Sequence, residues 1–114
     1  MKMGETTMNI LQWHEVCASD ELEEEDVMEF EHEGELYAIY HTPTGYYASA
    51  GVCTHETARL AQGLVFGDII ECPMHMGRFH IPSGAAKGAP VCVNLATHPV
   101  KLESGTIYIG LAAE

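Results

Sequence analysis

Two short clusters of metal-binding side chains stand out in this chain of 114 residues. The first is Cys53–His55 and the second, after a spacer of sixteen residues, is Cys72–His75. Each cluster begins with a cysteine and ends with a histidine. Thiolates and imidazoles bind borderline-soft metals. Cys53 and His55 are two residues apart, so in an extended loop they project to the same side of the chain. Pro73 suits a tight turn that brings Cys72 and His75 toward the same point. The spacing therefore predicts that the four side chains converge on one metal centre.

Two kinds of centre fit this set of ligands. A tetrahedral zinc site with two cysteines and two histidines is closed and structural, whereas a [2Fe–2S] cluster with two histidines on one iron is redox active. Zinc fingers usually pair cysteine with cysteine and histidine with histidine. Here each cluster mixes the two residue types, which favours the iron–sulfur centre.

The pattern Cys-x-His-x16-Cys-x2-His resembles the Rieske iron–sulfur family. The stretch from Cys72 to Pro90 is similar to the second ligand loop of that family, with Gly77 and Phe79 in their usual places. Residues 13–50 resemble the opening strands of a small Rieske ferredoxin, and residues 100–111 resemble its closing hairpin. The resemblance thus covers nearly the whole chain.

This resemblance implies one [2Fe–2S] cluster per chain. Cys53 and Cys72 would hold the inner iron, while His55 and His75 would hold the outer iron on the solvent side, where electrons enter and leave. Two histidine ligands leave the oxidised cluster roughly neutral and raise its potential above that of an all-thiolate cluster. Further residues are expected to line the cluster or to contact a partner: Met74, Met76, Gly77, Phe79 and Pro90.

The family branch that the chain resembles is the ferredoxin component of bacterial systems that hydroxylate aromatic rings. Such a ferredoxin carries single electrons from a flavin-dependent ferredoxin reductase to a terminal Rieske non-haem iron oxygenase in aromatic compound catabolism. The resemblance therefore implies an electron carrier that is not itself an enzyme. Two alternatives remain open. One is an accessory Rieske subunit of another reductase or oxygenase. The other is a zinc-stabilised binding module that interacts through its acidic hairpin, which is expected at about residues 28–40.

The sequence departs from the high-potential Rieske proteins of cytochrome bc complexes at four positions. The two extra cysteines that form a bracing disulfide in those proteins are replaced here by Ala58 and Met74. A serine and a tyrosine whose hydroxyls donate to the cluster are replaced by Arg78 and Phe79. Because fewer donors stabilise the added electron less, we expect a potential in the lower part of the Rieske range.

Short strands and tight turns dominate the rest of the pattern. Met28 and Phe30 alternate with glutamates, and Leu36, Ala38 and Tyr40 share one face of the next run. Turns are expected at residues 33–35, 42–45, 83–84 and 103–105, and residues 56–61 are expected to form either one helical turn or a loop. These signals predict one all-β domain over residues 1–114, and the resemblance to the Rieske family implies an antiparallel β-sandwich with a cluster-binding subdomain at about 51–90.

Charge is unevenly distributed along the chain. The formal net charge is −12, and eleven of the seventeen acidic residues fall between Glu15 and Glu35, where no lysine or arginine occurs. Residues 53–90 carry three acidic and three basic residues and are formally neutral. The acidic residues are either a solvated face that maintains solubility or a field that steers basic partners toward the cluster. Their repulsion of phosphates argues against nucleic acid as a partner.

We expect a monomer located in the cytoplasm. The first ten residues contain neither a continuous apolar segment nor twin arginines, so we expect neither a signal peptide nor a membrane anchor. Cys17 and Cys92 are the cysteines outside the two clusters. In a reducing compartment they are expected to be two buried thiols rather than a disulfide.

Overall fold

A computed structural model of the chain describes residues 10–54, 57–74, 76–88 and 93–113. These ranges contain ten strands and two short 3-10 helices, at Ser19–Glu21 and Leu60–Gln62. The strands are β1 (Leu11–Ala18), β2 (Asp26–His32), β3 (Glu35–Thr42), β4 (Gly45–Ala50), β5 (Leu64–Phe66), β6 (Ile69–Glu71), β7 (Arg78–His80), β8 (Thr97–His98), β9 (Val100–Glu103) and β10 (Thr106–Ala112).

The strands form three antiparallel sheets. One sheet has the order β1-β10-β9, a second has the order β2-β3-β4-β8, and a third, smaller sheet has the order β5-β6-β7. The third sheet lies within residues 64–80, between the two predicted ligand clusters and just beyond the second. The predicted all-β class and antiparallel sandwich are confirmed.

Strand β3 lies in the middle layer of the molecule, because both of its faces are buried. Ile39 belongs to a core with Ile107 and Ile109 of β10, so this face packs against the first sheet. Ala38 and Tyr40 belong to a second core with Ile70 and Phe79 of the small sheet. The alternation that predicted Ala38 and Tyr40 on one face is confirmed, and the same period of two places Ile39 on the other. The small sheet is thereby packed onto the sandwich.

The predicted hairpin turns are present. Glu33 and Gly34 have φ values of 52° and 83°, and Ser104 and Gly105 have φ values of 51° and 79°. Each pair links two antiparallel strands in register, β2 to β3 and β9 to β10. Two left-handed residues in succession match the twist of the flanking strands, which is why such two-residue loops favour glycine. The turn between β3 and β4 has Pro43 and Thr44 at its tip.

The segment after the first ligand cluster differs in part from both expectations. Arg59 pairs with Val52 as an isolated antiparallel bridge, and the helical turn begins only at Leu60. Leu60 is fully buried and anchors this turn in the core shared with the small sheet. Within the part of the chain that the structure describes, no helix is long and apolar enough to cross a membrane.

Candidate metal centre

The first predicted ligand loop starts directly after β4. The amide of Gly51 donates to the carbonyl of Leu36 at 2.9 Å, which holds the chain against β3 as it leaves the sheet. The amide of Cys53 then donates to the carbonyl of Ala58 at 2.9 Å and closes the ends of the loop. Only 5% of Cys53 is exposed, so the loop turns its cysteine inward.

The second ligand loop connects β6 to β7. Cys72 follows the last residue of β6, and its amide donates to the carbonyl of Gly77 at 2.7 Å, immediately before β7 begins. Cys72 is 1% exposed. Pro73, Met74 and Met76 therefore lie at the exposed tip of a short hairpin whose base contains the buried cysteine.

The two cysteines share one core. Cys53 and Cys72 belong to the same buried cluster, together with Ala38, Tyr40, Leu60, Ile70, Phe79, Ile81 and Leu95. Burial raises the pKa of Tyr40 far above its usual range, and its neutral hydroxyl lies 2.7 Å from the Oγ of Ser49. An apolar core is a costly place for thiolates unless a cation compensates their charge. The burial of both cysteines in one core thus fits a metal centre with thiolate ligands.

The two histidines of the predicted ligand set lie outside the described residues, as do Pro90 and Cys92. Among the residues that are described, no group of three or more histidine, cysteine, aspartate or glutamate side chains is placed to hold a metal ion. The structure therefore brings the two cysteines together in one core, and the assignment of all four residues as ligands stays a prediction.

Exposed apolar side chains lie close in sequence to the predicted ligands or contact their loops. Met74 is 47% exposed and Met76 66% exposed, on either side of the predicted ligand at position 75. Val93, which is 58% exposed, lies beside the first ligand loop, because the hydroxyl of Thr54 donates to its carbonyl at 2.6 Å. The two methionines were expected from the sequence. Val93 was not, since a contact across 39 residues leaves no local signal.

Phe79 and Arg78 occupy different environments. Phe79 is completely buried, so it lines the core behind the cysteines and cannot contact a partner. Arg78 is exposed; its Nη2 lies 3.3 Å from Oε1 of Glu71, and its guanidinium lies 5.1 Å from the ring centroid of Phe66. Neither side chain offers a hydroxyl, as the sequence predicted. Gly77 is buried at the base of the hairpin, where its carbonyl accepts the Cys72 amide.

Other metal-binding side chains in the described ranges have local roles. The Nδ1 of His80 lies 2.7 Å from the Oγ of Ser83, within the turn that follows β7. The Nδ1 of His41 lies 2.9 Å from the carbonyl of Leu22. Cys17 is a free, half-buried thiol whose Sγ is 3.5 Å from the Sδ of Met28, and burial raises its pKa. A raised pKa keeps this thiol protonated and unreactive.

Comparison with known protein families gives a match over most of the chain. The sequence model described as the Rieske [2Fe-2S] domain matches residues 12–99, a range that contains all four predicted ligands.

Similar proteins are described as ferredoxins. The ferredoxin component of the naphthalene 1,2-dioxygenase system of Pseudomonas putida is 39% identical over 102 residues, which cover 90% of this chain and 98% of that protein. A structure described as the complex of reduced oxygenase and oxidised ferredoxin in carbazole 1,9a-dioxygenase matches with a TM-score of 0.82 and 32% identity, over 85% of this chain and 91% of the matched one. The Sphingomonas yanoikuyae B1 ferredoxin matches with a TM-score of 0.81 and 30% identity, over 88% of this chain and 99% of that one.

Proposed function

The chain belongs to the Rieske [2Fe-2S] family, and from this membership we propose that it carries single electrons to a terminal ring-hydroxylating oxygenase. The electrons would come from a flavin-dependent ferredoxin reductase. The observation that carries the proposal is the combination of two buried cysteines in one core with an exposed apolar tip beside them. Relatives of nearly equal length that are described as dioxygenase ferredoxin components support it.

The cluster that defines the family is the cofactor, and we assign its ligands to Cys53, His55, Cys72 and His75. A bound Rieske cluster takes up and releases one electron at a time. The two cysteines would hold the cluster from the apolar side, since both are buried. Hydrogen bonds from their amides to the carbonyls of Ala58 and Gly77 fix the two loops. The histidines complete the set from the solvent side, as in the family.

We propose the exposed tip as the surface that meets both redox partners. It consists of Thr54, Pro73, Met74, Met76 and Val93, all of which are exposed. Methionine is flexible and polarizable, so it adapts to surfaces of different shape. Apolar contacts at the tip would exclude water between two redox centres without requiring one fixed set of hydrogen bonds. The carbazole dioxygenase complex of oxygenase with ferredoxin supports this kind of partner.

The acidic residues between Glu15 and Glu35 would act at longer range. Exposed charges change the rate of encounter more than the strength of the final contact, and salt screens them over about 8 Å at physiological ionic strength. We therefore expect electron transfer to basic partner surfaces to slow as salt increases. We further propose that the protein is a monomer with a single domain and that it is located in the cytoplasm.

Electron transfer in a reconstituted system tests the function. The reduced protein is mixed in a stopped-flow instrument with oxygenases of the naphthalene, biphenyl and carbazole systems, and its reoxidation is followed by visible absorbance. We expect fast reoxidation by at least one oxygenase and re-reduction by a flavin-dependent reductase. A cluster-loaded protein that exchanges electrons with none of these components would refute the proposal, and a colourless zinc-containing protein would support the binding module.

A matched pair of variants tests the docking surface in the same assay. Met76→Gln places a polar group at the tip, whereas Leu102→Gln does the same on β9, where Leu102 is 50% exposed. We expect the second-order rate constant to fall about ten-fold in the first variant, as for a residue at the centre of an interface, and to stay unchanged in the second. Equal rate constants for the two variants would exclude Met76 from the contact.

A further inference from the structure

The small sheet and the ligand loops are fastened to the sandwich by side chains of residues 25–44. The carboxylate of Glu25 accepts a hydrogen bond from the amide of Gly67 at 2.6 Å. The hydroxyl of Thr44 donates to the carboxylate of Asp68 at 3.0 Å. The Nη2 of Arg59 lies 2.9 Å from Oε2 of Glu29. These contacts join positions that are 24 to 42 residues apart in the chain.

The ion pair of Glu29 and Arg59 acts on the first ligand loop. Arg59 forms the antiparallel bridge with Val52, the residue before Cys53. The hydrogen bond from Cys53 to the carbonyl of Ala58 lies directly beside this bridge. Holding Arg59 on β2 through Glu29 therefore holds both ends of the loop that starts with Cys53.

The contact of Glu25 with Gly67 acts on the second ligand loop. Gly67 and Asp68 form the turn between β5 and β6, and β6 leads directly to Cys72. The carbonyl of Asp68 also accepts the amide of Ile81 at 2.7 Å, after the end of β7. The turn thus connects to both strands that flank the loop. Fixing it from Glu25 and Thr44 sets the position of that loop relative to the sandwich.

The backbone at Glu25 indicates a specific role for this side chain. Glu25 has a φ of 63°, a left-handed conformation that costs a residue with a side chain about 1–2 kcal/mol relative to the right-handed one. Its amide donates to the carbonyl of His41 at 2.6 Å, and its carboxylate reaches the amide of Gly67. Strain of this kind persists where the surrounding contacts compensate for it.

From these contacts we propose that Glu25 and Glu29 are positioning residues for the cluster, each bracing one ligand loop against the sandwich. This inference rests on the proposed ligand assignment and gives two of the eleven acidic residues a role that neither solubility nor steering describes. The chain has Ala58 and Met74 where the high-potential branch has its bracing cysteines. In this chain, the hydrogen bond of Glu25 and the ion pair of Glu29 take the structural role that the disulfide has in that branch.

The test measures how fast the holoprotein loses its cluster. Visible absorbance is followed after a chelator is added to the wild type and to Glu25→Ala, Glu25→Gln and Glu24→Ala. Glu24 is the matched control, since it is an exposed neighbouring acid whose side chain makes no hydrogen bond or ion pair with another described residue. We expect loss about five-fold faster in Glu25→Ala, which corresponds to ~1 kcal/mol, the typical net contribution of one hydrogen bond. Glu24→Ala should match the wild type.

The glutamine variant separates positioning from charge. Its amide oxygen still accepts the Gly67 amide, so Glu25→Gln should keep the cluster about as long as the wild type does. It removes the same charge as Glu24→Ala, and the two should slow electron transfer equally. Cluster loss from Glu25→Gln as fast as from Glu25→Ala would overturn the inference, and so would Glu25→Ala losing its cluster no faster than Glu24→Ala.

The second brace is tested by exchanging its charges. We expect Glu29→Arg to lose the cluster about two-fold faster than the wild type, since a half-exposed ion pair contributes little. Adding Arg59→Glu in the same chain should restore the rate, and failure of the double variant to do so would overturn the role of Glu29. The visible spectrum of the wild type distinguishes a failure of the proposed braces from a failure of the proposed function. A wild type that shows the Rieske spectrum, with variants that do not differ, refutes only the braces, whereas a wild type without a cluster refutes the proposed function as well.

Discussion

The amide of Cys72 donates to the carbonyl of Gly77 across the base of a hairpin, at 2.7 Å. This hydrogen bond lies between a buried part of the hairpin and its exposed tip. Cys72 below it is 1% exposed and shares a core with Cys53, whereas Met74 and Met76 above it are 47% and 66% exposed. A redox protein needs both environments, a dry site for the metal centre and an accessible surface next to it. The hairpin supplies the two within six residues.

Substitutions of Met76 distinguish the effect of its backbone conformation on stability from the effect of its side chain on partner contact. Its φ of 58° is a left-handed conformation that favours glycine. Met76→Gly should relieve the strain, whereas Met76→Ala should keep it, and both remove the exposed side chain. We expect the glycine variant to be about 1 kcal/mol more stable than the alanine variant in urea unfolding. Both should transfer electrons to the oxygenase more slowly than the wild type, and wild-type rates in both would contradict a contact role.

The fully buried Phe79 gives a prediction about the reduction potential. Without hydroxyl donors from residues 78 and 79, we expect a midpoint in the lower part of the Rieske range of about −150 to +300 mV. Phe79→Tyr should raise it by about 40 mV if the new hydroxyl donates to the cluster, a preference of ~1 kcal/mol for the reduced form. Phe66→Tyr is the control, because Phe66 is 40% exposed on β5. A strongly positive wild-type midpoint in a redox titration would contradict this.

Gly84 gives a prediction about stability. It has a φ of 76°, and an added Cβ would lie 2.3 Å from the carbonyl oxygen of Leu95. Gly84→Ala therefore forces apart two segments that are joined by the hydrogen bond from the Leu95 amide to the Gly84 carbonyl. Gly105 has a similar φ of 79° but nothing within 4 Å of its Cβ position. We expect Gly105→Ala to cost about 1 kcal/mol and Gly84→Ala at least twice that in urea unfolding. Equal costs would contradict the close approach.

His98 gives a prediction about pH. Burial lowers the pKa of its imidazole below the usual value of 6.5, and its ring packs edge-on against Tyr37. The unfolded chain therefore binds a proton more readily than the folded one. The contribution of His98 to stability is complete above pH 6.5 and is lost as the pH falls through the lowered folded pKa. The urea midpoint should drop less between pH 7.5 and 5.5 in His98→Gln than in the wild type, and an equal drop would contradict this.

Residue types and spacing were enough to predict the hairpin strands and turns, whereas the architecture of the sandwich was predicted from the resemblance to the Rieske family. The alternation in residues 28–40 and the turns at 33–35 and 103–105 are local signals, and each reappears in the structure. The strands of the small sheet were not predicted individually. β5, β6 and β7 have three residues each, too few to show a period of two.

The braces of the ligand loops could not be predicted from local pattern either. Glu25 and Glu29 lie in a run of acidic residues that looks uniform in the sequence. What distinguishes them is contact with Gly67 and Arg59, which are 42 and 30 residues away. The sequence predicted that Cys53 and Cys72 converge, and the structure places both in one buried core, while their role as ligands stays a prediction. The same reasoning predicts His55 and His75 as the other two ligands.

The electron-spin spectrum of the purified, chemically reduced protein tests the central claim most directly. We predict the signal of a Rieske cluster, with two irons and two sulfides per chain. His75→Ala should lose or destabilise that signal, because a ligand of the outer iron is removed. A protein that contains zinc and gives no spin signal would contradict the account, and so would a His75→Ala variant whose Rieske signal is intact.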